Sequence, residues 1–204
     1  MSSQVLRFLQ EQNAGLQEEN KLLREENQAL RMYASALGEL HRAASTITSA
    51  DNLLSLLNKI LYNALTVLDA SDGSVMLLDE EAGELVFVLV HGDMEGKLRG
   101  YRISKGLGIA GWVASNREPL IANDARQDWR FSPHVDEAFN FLTRSILCVP
   151  MMSRGRVLGV IEVLNKFSGE GFNATDLNLL SILGYIAGAA LDDMRQHIEE
   201  EVKR

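Results

Sequence analysis

The sequence predicts an α+β domain carried behind a parallel coiled-coil helix. Three observations carry this. Leucine returns at every seventh position from Leu9 to Leu37. Two apolar, β-branched stretches are joined by a polar turn between Ile146 and Val163. Capped segments with one apolar face bracket this strand-rich middle.

Taking Leu9, Leu16, Leu23, Leu30 and Leu37 as d positions puts Leu6, Asn13, Asn20, Asn27, Ala34 and His41 at a. An a-position Asn weakens the seam but is satisfied opposite another Asn at the same level of a parallel partner. Glu19 and Glu26 fall at g and Arg24 and Arg31 at e, so each Glu meets an Arg of the second chain. Residues 1–45 are therefore expected to form a parallel homodimeric coiled coil, loosened by its Asn layers enough to serve as a bistable element.

The leucines end after Leu40. A second helix is expected over Asn52 to Leu68, capped by Ser49 or Asp51, with Leu53, Leu57, Ile60, Leu61, Ala64 and Leu68 on one face. Asp72-Gly73 reads as a break. Strands over Ser74 to Leu78 and Leu85 to Val90 flank an Asp79-to-Gly83 turn. Arg99 to Ile103 reads as a third strand, and Gly106 to Ala114 as a glycine-rich turn entering a short helix. The segment Asn123 to Asn140 reads as long and mostly irregular, with Trp129, Phe131 and Phe139 available to dock. Strands over Ile146 to Met151 and Val157 to Val163 surround the turn Ser153 to Arg156. Glu162 sits inside the second of them, and Asn165-Lys166 closes it. Helix is expected from Asn173 onward, with Asn173 as cap and Asp176 three residues on closing the box. Leu177, Leu180, Ile182, Leu183 and Ile186 supply its buried face.

The 204 residues hold one good-sized domain and an appendage. A net charge of -8 argues against nucleic acid as the partner. No uninterrupted apolar run approaches the roughly 20 residues of a membrane span, and the first residues lack a signal peptide's apolar core. A single cysteine allows no internal disulfide and suits a reducing compartment, so a cytoplasmic protein is expected. Cys148 lies in an apolar strand, where a thiol acts as a small hydrophobe. The histidines at 41, 91, 134 and 197 show no metal spacing, so no metal site is expected. No acid/base pair, nucleophile motif or phosphate loop occurs, and the expectation is a protein without catalytic activity.

The stretch TRSILCVPMMSRGRVLGVIEVLNKFSGEGFNATD, Thr143 to Asp176, resembles the heart of a GAF domain, the small-molecule sensor module of phosphodiesterases, cyclases and bacterial signalling proteins. Asn165, Lys166, Phe172 and Asp176 match four of the five positions of the NKFDE signature of its cyclic-nucleotide-binding members; the fifth, acidic in the family, is Leu177. GIAGWVA, PLIANDARQDWRF and GVIEVLNK extend the likeness over roughly Ala50 to Leu191. The resemblance implies an antiparallel sheet of about six strands with helices on both faces. It places a lidded pocket on one face and the first and last helices on the other, often at a dimer interface. Residues 46–191 would be the sensor domain and 192–204 a helical tail.

The resemblance further implies ligand contacts at Ser74, the backbone of Ile109 and Ala110, Asp136 and Thr143. Val90 and His91 stand where some members place an aromatic and an acid, leaving Phe131 or Trp129 to supply a stacking ring. Lys166 and Asp176 would pair as structural members of the signature. GAF-type methionine sulfoxide reductases use more than one cysteine, and this chain has Cys148 alone. The expected function is a dimeric, non-catalytic sensor. It would bind a small ligand, with a cyclic nucleotide as candidate, and signal to a partner protein in trans. The alternative is a ligand-free dimerising adaptor.

Overall fold

The computed structural model describes residues 50–202 continuously, and before them a few isolated positions from Gln12 to Gly38, which are helical. The rest of the seam expected over residues 1–45, and the cap expected at Ser49, lie outside the described residues. By its contacts the chain divides into two units, Met1–His41 and Arg42–Arg204.

Helix α1 (Ala50–Val67) buries Leu57, Ile60, Leu61 and Ala64, the stripe its periodicity predicts. Each large side chain so buried contributes on the order of 1.5–3 kcal/mol. Strands β1 (Ala70–Asp79) and β2 (Glu84–His91) form a hairpin. Its turn is closed by the N–H of Gly83, at φ +66°, donating to the Asp79 carbonyl at 2.9 Å, and by the Asp79 carboxylate accepting from Ala82 N–H. There follow β3 (Arg102–Ser104), α2 (Gly108–Asn116), β4 (Leu120–Ala122), a 3₁₀ turn (Ala125–Gln127), α3 (His134–Phe139), β5 (Ile146–Ser153), β6 (Arg156–Lys166) and α4 (Ala174–Val202). The six strands make one sheet in the order β3-β2-β1-β6-β5-β4, antiparallel at every pairing. Helices α1 and α4 pack on one face and α2 and α3 lie over the other. The β5–β6 turn has both central residues, Arg154 (φ +48°) and Gly155 (φ +75°), in the left-handed region, as a two-residue hairpin loop demands.

Four expectations are corrected. Strand β1 runs through Asp72-Gly73 rather than breaking there, because both residues pair with β6, at Leu164 and Val163. Glycine is needed at 73 for another reason: a Cβ there would lie 2.8 Å from the Glu162 carbonyl and 3.1 Å from Leu61 of α1. The third strand starts at Arg102, since Gly100 and Tyr101 meet β2 in a turn whose bonds both converge on Phe87. Strand β4 was not expected at all. The segment 123–140 is not mostly irregular, for it contains the 3₁₀ turn and α3.

Helix α4 is capped as read: Asn173 Oδ1 accepts from the N–H groups of Thr175 and Asp176, and Asp176 accepts from Asn173 N–H. It crosses position 192, where a tail was expected to begin, without a break. Asp192 there is 1% exposed, holding Arg154 at 3.0 Å and Arg156 at 2.8 Å at the tip of the β5–β6 hairpin. By length and composition alone, α4 is long and apolar enough to cross a membrane, a test that a core helix also passes. Part of that apolar surface, at Leu180, Leu183, Ala187 and Ala190, is buried within the domain.

Two glycines let α4 sit directly on β5. A Cβ at Gly184 would approach the Pro150 carbonyl to 3.0 Å, and one at Gly188 would meet the Met152 carbonyl at 2.4 Å and its nitrogen at 2.6 Å. Alanine favours helix over glycine by about 1 kcal/mol, so a loosely seated α4 would gain stability from Gly188→Ala. The backbone clash is expected to win, with a net loss of about 1–3 kcal/mol in urea denaturation. A stabilised variant would show that α4 can lift from the strand.

Candidate functional site

Between the sheet and the α2–α3 side lies a cavity with about 90 Å³ of room for the centres of water-sized spheres. That is room for more than a single water. Met76 and Phe87 line it without filling it. The remaining walls are largely apolar: Met94 and Leu98 from the β2–β3 connection, Ile109 and Ala110 from the first turn of α2, Val135 from α3, and Phe131 and Phe141 from the lid.

The polar groups converge from separate elements. Ser74 on β1 and Glu162 on β6 are register partners, and the Ser74 hydroxyl donates to Glu162 Oε1 at 2.8 Å. On its other side Glu162 faces Cys148 of β5. Burial pushes the Glu162 carboxyl up to about 7; the Ser74 bond opposes this and the Asp136 carboxylate adds to it. Burial, and then the neighbouring Glu162, push the Cys148 thiol well up, away from the thiolate a reactive cysteine needs.

Asp136, on α3, is buried and saturated. It accepts from the Thr143 N–H at 3.0 Å, the Thr143 hydroxyl at 2.7 Å and Arg126 at 3.0 Å. Thr143 is set in place by Asn165, the next-to-last residue of β6, at φ +58°. Its Oδ1 accepts from Arg144 N–H at 2.8 Å and its Nδ2 donates to the Leu142 carbonyl at 3.0 Å. His91, at the end of β2, lines the cavity while its Nε2 bonds Asn58 of α1 at 2.8 Å. Ile109 and Ala110 belong to the first turn of α2, where N–H groups lack intrahelical partners.

All seven positions put forward as ligand contacts, Ser74, His91, Ile109, Ala110, Phe131, Asp136 and Thr143, lie on the wall of this cavity. Trp129 does not. It is 82% exposed, with the Arg130 guanidinium 5.6 Å from its ring centroid and 4.9 Å from that of Trp112. The signature residues stand outside the cavity and build its frame. Lys166 pairs with Asp176 at 2.6 Å and lies over the ring of buried Phe172, whose backbone is clamped by Asn123. Sequence reasoning missed Glu162 as a cavity group, although an acid inside the run GVIEVL, on the same strand face as Val160 and Leu164, was a usable signal. Met94 and Leu98 carried no such signal.

A six-stranded antiparallel sheet with paired helices on one face and a cavity on the other is the GAF fold, that of a family of signalling sensor modules. The chain belongs to the GAF domain family, whose model matches residues 50–192. It is similar to the probable 3',5'-cyclic phosphodiesterase pde-5 of Caenorhabditis elegans, 33% identical over 65% of this chain and 19% of that protein. It is also similar to the dual 3',5'-cyclic-AMP and -GMP phosphodiesterase 11 of Drosophila melanogaster, 31% identical over 74% of this chain and 11% of that one. The chain thus spans less than a fifth of the length of these curated relatives. Among solved structures, the GAF domain of a phosphoenolpyruvate-protein phosphotransferase from Coxiella burnetii superposes with a TM-score of 0.70 at 19% identity, covering 80% of this chain and 95% of that one. The free methionine-R-sulfoxide reductase from Neisseria meningitidis gives 0.65 at 21% identity, covering 80% and 90%.

The Glu162 carboxyl makes stability depend on pH. Its folded value of about 7 lies above the ordinary 4.5. Below that ordinary value both states hold the proton and the contribution is fully present. As pH rises through 7 the unfolded chain has already ionised, and the contribution is lost. The difference amounts to about 3 kcal/mol at most. Glu162→Gln removes the proton, so wild type is expected to lose stability relative to the variant as pH rises from 4.5 to 7.5 in urea denaturation. Parallel profiles would put Glu162 back at its ordinary value.

Proposed function

We propose that this chain is a non-catalytic sensor module of the cytoplasm that takes a small ligand under the lid formed by residues 123–141. The single observation that supports this most is the open, largely apolar cavity with a few polar groups converging on it, the usual make-up of a small-molecule site. A cyclic nucleotide is the first candidate, because the relatives named above are cyclic nucleotide phosphodiesterases. In that reading Ser74, the backbone of Ile109 and Ala110, Asp136 and Thr143 bond the ligand's polar edges, Phe131 stacks on its ring, and His91 replaces an acid found elsewhere in the family. The lid orders around the ligand. The bond from His91 to Asn58 gives the cavity wall a direct link to α1. Two copies pair through a parallel coiled coil over residues 1–45, and the changed helices are read by a partner protein in trans.

The test is a thermal shift of the purified chain against cyclic AMP, cyclic GMP and a panel of small metabolites. A ligand at a hundred times its Kd adds about 2.7 kcal/mol, a rise of a few degrees in a domain of this size. A shift with one compound is expected, and it would name the ligand. A flat panel would overturn the sensor reading and favour the ligand-free adaptor.

A further inference from the structure

The lid is built as a flap that keeps its own shape. Its two feet are fixed to the domain: Asn123 is clamped to the backbone of Phe172, and Leu142 and Arg144 are held by the Asn165 side chain. The feet close on each other where Ala125 N–H donates to the Arg144 carbonyl at 2.8 Å. Above them Asp136 braces the flap from within. Arg126 and Thr143, which donate to its carboxylate, and Phe141, which donates to its carbonyl, all belong to the same stretch of chain. Asp128 braces the outer part, its carboxylate accepting from Arg130 at 2.6 and 2.8 Å and its carbonyl from Phe131 N–H. What a ligand can order is then the seating of the flap, not its internal fold.

The outer rim, Arg130 to His134, meets the body of the domain side chain to side chain and backbone to backbone. The Arg130 guanidinium lies 4.9 Å from the ring centroid of Trp112 on α2. Ser132 faces Gly108, where a Cβ built on the glycine would lie 3.5 Å from that of Ser132. His134 Nε2 bonds the Tyr101 hydroxyl at 3.2 Å, and Phe139 of the same helix stands edge-on to the Tyr101 ring at 5.1 Å. Arg130 and His134 thus fasten the rim on either side of Ser132. Leu107, next to Gly108, lines the cavity and is also 39% exposed, which puts the mouth at this seam. Gly108 and Ser132 line the cavity too, so parting them opens it toward the side where Leu107 meets solvent.

We infer that ligands enter and leave through the Gly108–Ser132 seam, and that two latches, Arg130 on Trp112 and His134 on Tyr101, hold the braced flap shut. This rests on the reading of the cavity as a ligand site. Each latch is a contact at a half-buried or exposed surface, weak enough to break while a ligand exchanges. Because the flap moves as one piece, neither latch can open far while the other holds. A latch acts on the closed flap whether or not a ligand is inside. Breaking one should therefore raise entry and exit rates by the same factor and leave affinity nearly unchanged.

The experiment has a ligand-free arm and a ligand arm, both on the full chain. In the first, Ala110→Cys places a thiol on the buried cavity wall, and its labelling by methyl methanethiosulfonate is followed by mass spectrometry. Native Cys148, 0% exposed, reports global unfolding in the same sample. Tyr101→Phe keeps the ring against Phe139 but removes the hydroxyl from His134; Arg130→Gln removes the charge from Trp112. Each is expected to speed labelling at position 110 roughly fivefold. Together they should give about the product, near twenty-fivefold, because one flap must break both latches to open. Rates that do not change, that merely add, or that rise in step at Cys148 would overturn the latched flap.

In the second arm, exchange of toluene with the cavity is measured by NMR. Expected are entry and exit accelerated alike in both latch variants, with Kd held. A slower or faster exit alone would make these residues ligand contacts and overturn the gate, leaving the cavity reading intact. The pair Gly108→Cys and Ser132→Cys has a Cβ separation suited to a disulfide. Its oxidised form should stop toluene exchange until reduced, and free exchange through the locked seam would refute this route. The latch variants ask nothing of the Gly108 backbone, at φ +68°, and keep the test standing if the cysteine pair does not fold. Failure of toluene to bind any variant would overturn the cavity reading and the gate with it.

Discussion

Asn165, next to last in β6, takes a left-handed conformation, and from there its side chain reaches across to the segment by which the lid returns to β5. Its own N–H bonds Ser145, its amide oxygen takes Arg144 and its amide nitrogen gives to Leu142. Thr143 is thereby held between two fixed neighbours, where its hydroxyl and N–H reach Asp136. The carbonyl of the same Asp136 accepts from Phe141 N–H beyond the end of α3. A single amide thus governs the return of the lid, the orientation of a buried carboxylate and the closure of a short helix. One residue further, Lys166 ties the strand end to the first turn of α4 through Asp176. The lid side and the helix side of the domain are anchored at adjacent positions of one strand.

Features with a local physical cause were legible in the sequence. The β5–β6 hairpin was signalled by its β-branched strands and glycine turn, and α4 by its capping box. The stripe of α1 followed from helical spacing. Positions of the cavity wall were reached through family resemblance, because residues as far apart as Ser74, Ile109 and Thr143 share no spacing that physics could detect. Strand β4 was missed for a different reason. Three residues, Leu-Ile-Ala, show no alternation, and they are a strand because β5 offers them an edge. Asp72-Gly73 misled in the opposite sense: turn-forming residues were drawn into a strand by pairing with β6. Glu162 was visible as an acid in an apolar strand, but its meaning depends on Ser74 beside it and on the lid above.

The sheet separates two kinds of surface. On one face α1 and α4 exclude water by close packing. On the other the packing stops short and leaves a space bounded by ionisable groups. The backbone of β1 serves both faces within a few residues, for Gly73 accepts the approach of α1 and Ser74, next in sequence, points to Glu162. His91 bypasses the sheet where β3 no longer covers the end of β2, and so touches the cavity and α1 together.

The glycines of α4 carry one more implication. With no side chain between helix and strand at Gly184 and Gly188, α4 has no soft layer in which to rock against β5. Turning the helix about its axis would drive its backbone into that of Met152. Motion that reaches α4 must then be carried jointly with β5, helix and strand travelling as one stiff piece, and β5 is the strand that borders Glu162.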